Sequence, residues 1–363
     1  MVDGLAPERV EQPQDPEQLA EALRVAAERR EAVVPVGGGR ALGLGAPLER
    51  FDVAIETRRL DRVLELSQAD MTVSVEAGIT LEQVNEELGK VGQILPIDPF
   101  NSPGHTIGGI LAAGLSGPLR LRFGSPRDFV IGLRVALPTG RLVSSGGRVV
   151  KNVSGYDMNK LHQGALGALG VIVAASFKVF PRPLFDVTLE TQPEAPWSEA
   201  ERALSLPQRP VALELTSEGR LLARFWGTRE GLARMRGELG WAEVAPEVWS
   251  DHAARGGQGW ARISVPPAHL RQVINSLPGA ARWWASPGVG VAHWVGDLKP
   301  PDIAAARGWA EAAGGSLVLM SAPAELKRQA GAWGTPPATL DRMRRLRDAF
   351  DPERTLSPGR YVV

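Results

Sequence analysis

The chain has 363 residues, enough for two domains or one large one, and its 44% hydrophobic and 23% charged residues fit an ordinary globular protein. Lysine plus arginine and aspartate plus glutamate both total 41, so the basic excess of a nucleic-acid binder is missing. Cysteine is absent, which excludes disulfides, thiolate catalysis and iron–sulfur ligation by this chain; electrons would have to pass through an organic cofactor or a partner.

In chain order, "MVDGLAPERVEQPQDPEQ" has neither a basic n-region nor an apolar h-region, and no apolar run of about 18 residues follows. Both point to the cytoplasm. Asp15 and Pro16 then cap a helix over "EQLAEALRVAAERR", with Leu19, Leu23 and Ala26 on one face. "AVVPV" and "FDVAIET" read as strands flanking the glycine-rich "VPVGGGRALGLG", and "RLDRVLELSQADMTVSVEAG" as two strands joined by a turn. "TLEQVNEELGKVG" is a Thr-capped helix. After a Gly/Pro-rich stretch, "FVIGLRVALPTGRLVSSGG" is a hairpin turning at Pro138-Thr139-Gly140, and "GVIVAASFKVFPRP" a strand ending at Pro181. Beyond residue 183 the pattern becomes β-α-β-β-α and then a second set of the same type, which predicts an antiparallel sheet with helices on one face. A last helix, "PATLDRMRRLRDAFDP", leads into "ERTLSPGRYVV". No fixed-period repeat is detectable.

The glycine loop fails two phosphate-binding patterns. Gly38 and Gly43 have Walker spacing, but Leu44 and Gly45 stand where Lys and Ser/Thr belong. Gly37 and Gly39 begin a Rossmann fingerprint, but Leu42 replaces its third glycine and no helix can follow. Two readings remain: a tight turn, or an anion nest of backbone amides over Gly37, Gly38, Gly39, Arg40, Ala41 and Leu42. A second small-residue region, "HTIGGILAAGLSG", is either a core helix or a close approach to a flat ligand through Gly108, Gly109, Ala112, Ala113 and Gly114. A third, "KNVSGYDMNKLHQGALGALGVI", again mixes glycines with a short helix. Three such regions suggest one extended ligand touched in several places.

In order and spacing these segments, with "RFGSPRDFVIGLRVALPTG" and "FDPERTLSPGR", resemble the vanillyl-alcohol-oxidase/PCMH-type FAD-binding flavoproteins, and within them the E subunits of bacterial glycolate oxidase. The resemblance implies an α+β fold: a two-lobed FAD-binding domain over 1–183 (lobes about 1–60 and 61–183), a shortened cap over 184–340, and a helix and tail over 341–363 returning to the FAD domain. It places Pro35, Val36 and Gly37 to Leu42 at the diphosphate. Thr106, Ile107, Gly108, Gly109, Ala112, Ala113 and Gly114 would run along the isoalloxazine and ribityl chain. Gly164, Gly167, Gly170 and Ile172 would line the adenine and ribose end, with Arg360 returning toward the flavin. It also implies a second flavoprotein subunit and an iron–sulfur subunit as partners, a small 2-hydroxy acid as substrate, and membrane association only through those partners.

Departures from the family pattern carry information. Leu166 and Ala168 stand where Glu and Thr are common, so side-chain hydrogen bonds are lost there while backbone contacts persist. Arg40 occupies the slot of the histidine that attaches FAD covalently in some members, which implies noncovalent FAD. Ser357 replaces the usual Asn. The cap histidine run of substrate-oxidising relatives is reduced to His293 in "PGVGVAHWVGD", without the pair a metal needs.

No residue stands out as general base. His105, His162, His252 and His269 read as ordinary loop or surface histidines. Arg40, Arg120, Arg122, Arg127 or Arg360 could grip a carboxylate, or pair with local acids or cofactor phosphates. All ten tryptophans fall beyond residue 183. Core packing is the favoured reading and a partner interface the alternative; on a strand, Trp283 and Trp284 must face opposite ways. Function is therefore open between an FAD-binding subunit of a 2-hydroxy-acid dehydrogenase and a noncatalytic FAD-binding or scaffolding subunit whose partner does the chemistry.

Overall fold

A computed structural model describes residues 1–100, 103–147, 157–249 and 259–363. The 151–156 part of the third small-residue region and His252 lie outside the described residues. The fold is α+β, of the two-lobed PCMH type followed by an antiparallel sheet-plus-helix cap.

The first lobe is a parallel sheet of three strands in the order Arg9–Glu11, Val53–Glu56, Val33–Val36. Helix Pro16–Glu28 covers it and buries Leu19, Leu23 and Ala26, the residues its spacing singles out; the Asp15 carboxylate caps it by accepting from the Gln18 amide at 2.7 Å. Strand Arg9–Glu11 was not legible, because three residues are too short to show a period. The second lobe is an antiparallel five-stranded sheet in the order Val63–Ser67, Thr72–Glu76, Val171–Lys178, Val130–Ala136, Leu142–Gly146. Helix Leu81–Gly89 closes with a Thr80/Gln83 capping box, and helix Ile107–Ala113 packs on the central strand Val171–Lys178.

The third sheet has eight strands: Ala242–Val244, Phe185–Thr191, Leu221–Gly227, Ala212–Thr216, Arg282–Ser286, Val291–Val295, Trp260–Ser264, Ser316–Ser321. It is two copies of one β-α-β-β-α-β unit. In each, the last strand lies outside the first and the second strand lies at the seam, where Leu215 pairs with Ala285 and Thr216 with Trp284. The repeat is topological, with no fixed period, so a sequence search for periodicity passes over it. Helices cover one face of both halves, burying Leu213, Phe225, Ile263 and Leu319 among others. On the other face Trp260, Trp284, Val318 and Met320 join the core of the second lobe. Strand alternation thus turns every second side chain of Trp260–Ser264 toward the first two lobes.

The tail "FDPERTLSPGR" runs beside the first sheet. The Asp351 carboxylate accepts from the amides of Thr355 and Leu356 at 2.9 and 2.8 Å and sets the turn. Val33 then donates to Thr355 O and accepts from the Ser357 amide, both at 2.8 Å, so the tail lies beside the strand that leads into the glycine loop. Among the described residues no helix is long and apolar enough to cross a membrane.

Candidate functional site

Strand Val33–Val36 runs into the glycine loop, and the loop is held from two sides. Thr106 caps helix Ile107–Ala113: its Oγ1 accepts from the Gly109 amide and from the Gly38 amide, each at 3.3 Å. On the other side the Arg58 guanidinium donates to the carbonyls of Gly37 and Gly38 at 3.2 and 3.3 Å. With its early carbonyls taken, the loop turns at Gly39, whose φ of +74° favours glycine. The amides of Gly39, Arg40 and Ala41 donate to no other group among the described residues. Consecutive free amides after a left-handed residue form an anion nest.

These amides border a cavity lined by Val34, Pro35, Gly37, Gly38, Gly39, Arg40, Ala41, Leu42, Leu44, His105, Thr106, Gly109, Ala112, Ala113, Leu166, Ser357 and Arg360. Arg360 is buried. Its Nη1 donates to Leu44 O at 3.1 Å, and its Nη2 is shut from water with no partner among the described residues. Burial pushes its pKa down, and Asp3 pulls the other way.

A second cavity adjoins the first and shares Arg40, Ala41, Leu44 and His105 with it. Its remaining walls are Gly43, Phe100, Leu115 and Ser116 from the lobes and Trp260, Arg262, His293, Met320 and Ser321 from the eight-stranded sheet. Trp284, His293 and Arg262 form a cross-strand row, His293 lying opposite each of the other two. The His293 ring stacks on Trp284 at 5.2 Å between centroids and meets Phe100 edge-on at 4.6 Å. Its Nδ1 accepts from Trp260 Nε1 at 3.0 Å. An indole N–H only donates, so His293 is held neutral with its proton on Nε2. His105 donates from Nε2 to Phe100 O at 2.9 Å, and burial, with Arg40 beside it, pushes its pKa down. Arg262 has no acidic partner among the described residues. Its Nε is buried and unpartnered, and desolvation, then the charge of Arg120, pushes its pKa down. Such a cation calls for an anionic ligand.

Of the residues singled out in the sequence, the first cavity gathers Pro35, Gly37, Gly38, Gly39, Arg40, Ala41, Leu42, Thr106, Gly109, Ala112, Ala113 and Arg360. Eight others line neither cavity. Ile107 and Ile172 are core, Val36 packs in a small cluster under the loop, and Gly108 abuts Ala77. Gly114 ends its helix at φ +62°, Gly164 donates to Leu111 O, Gly167 backs Pro35, and Gly170 lies against Val135. The second small-residue region forms a helix with one face in the core and the other on the cavity.

Two expectations need correction, and one residue was missed. His105 and His162 are buried, not surface residues, whereas His269 is exposed. Trp284 is 1% exposed and Trp283 half-buried, whereas Trp309 is 48% exposed, so the tandem pair is not the reachable aromatic surface. Arg262 was missed altogether. Its signal is a charge on the buried face of an alternating apolar strand, "WARIS".

A family model described as "FAD binding domain" matches residues 7–146. Glycolate oxidase subunit GlcE of Escherichia coli (strain K12) is 30% identical over 283 residues, 77% of this chain and 79% of that protein. Glycolate oxidase subunit GlcD of Bacillus subtilis (strain 168) is 32% identical over 184 residues, and the match spans 50% of this chain but 39% of that longer protein. The cytochrome-type mitochondrial D-lactate dehydrogenase of Arabidopsis thaliana is 35% identical over 181 residues, 50% of this chain and 32% of that protein. An alkyldihydroxyacetonephosphate synthase structure matches with a TM-score of 0.70 at 17% identity, over 97% of this chain and 77% of that one, and shares the fold. The chain belongs to the PCMH-type FAD-binding flavoproteins, in the group of glycolate oxidase subunit GlcE, and is an FAD-binding oxidoreductase.

Proposed function

We propose that the chain is the FAD-binding subunit of a glycolate oxidase-like 2-hydroxy-acid dehydrogenase complex, assembled with a second flavoprotein subunit and an iron–sulfur subunit. Its parts are an FAD-binding domain over 1–183, a cap over 184–340 and a returning helix and tail over 341–363. It works in the cytoplasm, and any membrane association runs through its partners.

One observation carries the reading: two adjoining cavities, of which, among the described residues, the first has loop amides without acceptors and the second an arginine without an acidic partner. An elongated dinucleotide with a charged middle and a flat end suits that pair. Gly39, Arg40 and Ala41 hold the diphosphate through their amides, and the ribityl chain passes Gly109, Ala112 and Ala113. FAD is held noncovalently, since Arg40 stands in the histidine slot. Bound FAD supplies a two-electron acceptor. In the second cavity Arg262 holds the carboxylate of a small 2-hydroxy acid, Phe100 and Met320 exclude water, and His293, whose Nδ1 accepts from Trp260, is no free base.

That last point favours a second reading, a noncatalytic FAD-binding subunit whose partner oxidises the acid. Anaerobic addition of glycolate to the FAD-loaded chain decides between the two. Bleaching of the flavin band by the isolated chain supports a substrate-oxidising subunit; bleaching only with the partner flavoprotein present supports the second reading.

A further inference from the structure

Phe100 lines the second cavity and also a third, and among the described residues it is the one residue common to both. The second has a volume of about 100 Å³ and the third about 530 Å³, so one aromatic residue stands between a small space and a large one. Phe100 is buried and held from two sides. Its ring centroid lies 4.6 Å from that of His293, 5.5 Å from Trp284 and 6.3 Å from Trp260, all on the cap sheet. Its carbonyl accepts from His105 Nε2 of the lobes at 2.9 Å. The ring cannot swing aside without breaking these contacts. The two cavities also differ in chemistry. Arg262 makes the second a place for a carboxylate, whereas Leu81, Ile97, Pro99, Pro103 and Pro118 give the third an apolar wall. The charged groups of the third cavity do not suit an anion: Asp98 and Glu82 are acids, and Arg224 Nε already donates to both Asp186 carboxylate oxygens, at 2.9 and 3.0 Å.

We propose that Phe100 is a specificity-determining residue: its ring closes the second cavity off from the third and so limits the acid held by Arg262 to one with a short substituent. The proposal rests on the carboxylate site at Arg262 and on FAD in the first cavity. With the first cavity filled, a substituent too long for the second has the third as its remaining room, and the ring bars the way. A fixed apolar wall discriminates against a single added methylene by roughly 10- to 200-fold. Once the ring is removed, the third cavity admits an apolar chain.

The test titrates oxalate and 2-oxooctanoate into the FAD-saturated wild type, Phe100→Ala and Phe100→Leu, and follows the flavin spectrum. Neither probe can be oxidised as a 2-hydroxy acid, so the readout is binding alone. Wild type is expected to bind oxalate with saturation and 2-oxooctanoate at least about 10-fold more weakly. In Phe100→Ala, oxalate should weaken as water enters, whereas 2-oxooctanoate should tighten, so that the ratio of the two dissociation constants shifts by roughly 10-fold or more. Phe100→Leu, which keeps an apolar side chain of smaller size, should shift the ratio in the same direction and by less. A merely structural role for the ring predicts that both ligands weaken together, and that result, or an unchanged ratio, overturns the proposal. So does a wild type that binds 2-oxooctanoate as tightly as oxalate. If Phe100→Ala does not fold, an unchanged ratio in Phe100→Leu overturns it. Absence of any oxalate response in FAD-saturated wild type is a different failure: it removes the carboxylate site itself, and the proposal with it.

Discussion

Two side chains decide most at the scale of the residue. Arg262 sits beside His293 with its Nε shut from water and, among the described residues, no acidic partner. An anion would complete it, since a desolvated cation without a counter-charge is costly. Oxalate, a dicarboxylate that cannot be oxidised as a 2-hydroxy acid, is a direct probe. Titrated into the FAD-loaded protein, it should perturb the flavin spectrum with saturation. Arg262→Leu should weaken that response about 10-fold or more while leaving FAD affinity within about twofold; equal oxalate affinity in the variant would remove Arg262 from the site. His162 acts on stability instead. Desolvation pushes its pKa down to about 4, and its buried Nδ1 has no partner among the described residues. The folded state keeps it neutral while the unfolded chain takes up a proton near pH 6.5. The unfolded state therefore binds more protons between those values, and stability falls as pH drops from about 6.5 toward 4. His162→Gln should lose roughly 1–3 kcal/mol less than wild type between pH 7 and 4.5 in urea melts. Equal losses would mean His162 opens to water before it titrates.

Among the elements, the glycine loop and helix Ile107–Ala113 form one unit through Thr106, and this changes how the loop can be tested. A side chain on Gly38 appears at first to block only a ligand. In the structure its Cβ would lie 1.9 Å from Gly104 O, and one on Gly37 would lie 2.2 Å from Thr106 Oγ1. Gly38→Val should therefore destabilise the loop itself, and its loss of FAD would say nothing about phosphate contact. Ala112 is the cleaner position, because it lines the cavity on a helix whose core face is carried by Ile107, Ile110 and Leu111. Ala112→Leu should abolish FAD binding with a thermal midpoint within a few degrees of the stripped wild type. Full FAD affinity in that variant would move the cofactor out of the cavity. Much of this unit was legible: glycine density marked the loop, and "TIGGILAAG" marked a helix with small residues on one side. What sequence could not show is which glycines face a ligand and which face protein. Gly108, Gly167 and Gly170 are small because Ala77, Pro35 and Val135 press on them, and those neighbours are distant in sequence.

For the whole molecule, the eight-stranded sheet roofs the cofactor lobes, and its second half supplies Trp260, Arg262, His293 and Met320 to the second cavity. The helix and strand order of that region was readable from period and turn signals, but its pseudo-symmetric pairing was not. The seam between Ala212–Thr216 and Arg282–Ser286 is set by edge-to-edge pairing of strands far apart in sequence, which no local pattern encodes. Tryptophan number likewise did not reveal exposure. If the cap meets partner subunits through an aromatic contact, Trp309 on helix Pro300–Ala312 is the residue they can reach. Coexpressed with a second flavoprotein and an iron–sulfur subunit, Trp309→Ala should copurify less well while its own melting is unchanged. Trp284→Ala should instead cost about 3–5 kcal/mol of stability as a core truncation. Undiminished copurification of Trp309→Ala would place the interface elsewhere.

The claim on which the rest depends is that this chain holds FAD noncovalently in the cavity built from the glycine loop, the helix after Thr106 and the tail. Its most direct test is a titration of FAD into the stripped chain, followed by flavin absorbance and closed by acid precipitation of the saturated complex. The account predicts saturation at one FAD per chain and complete release of the flavin into the acid supernatant. Flavin retained on the precipitated protein, or absorbance that never departs from that of free FAD, would contradict it.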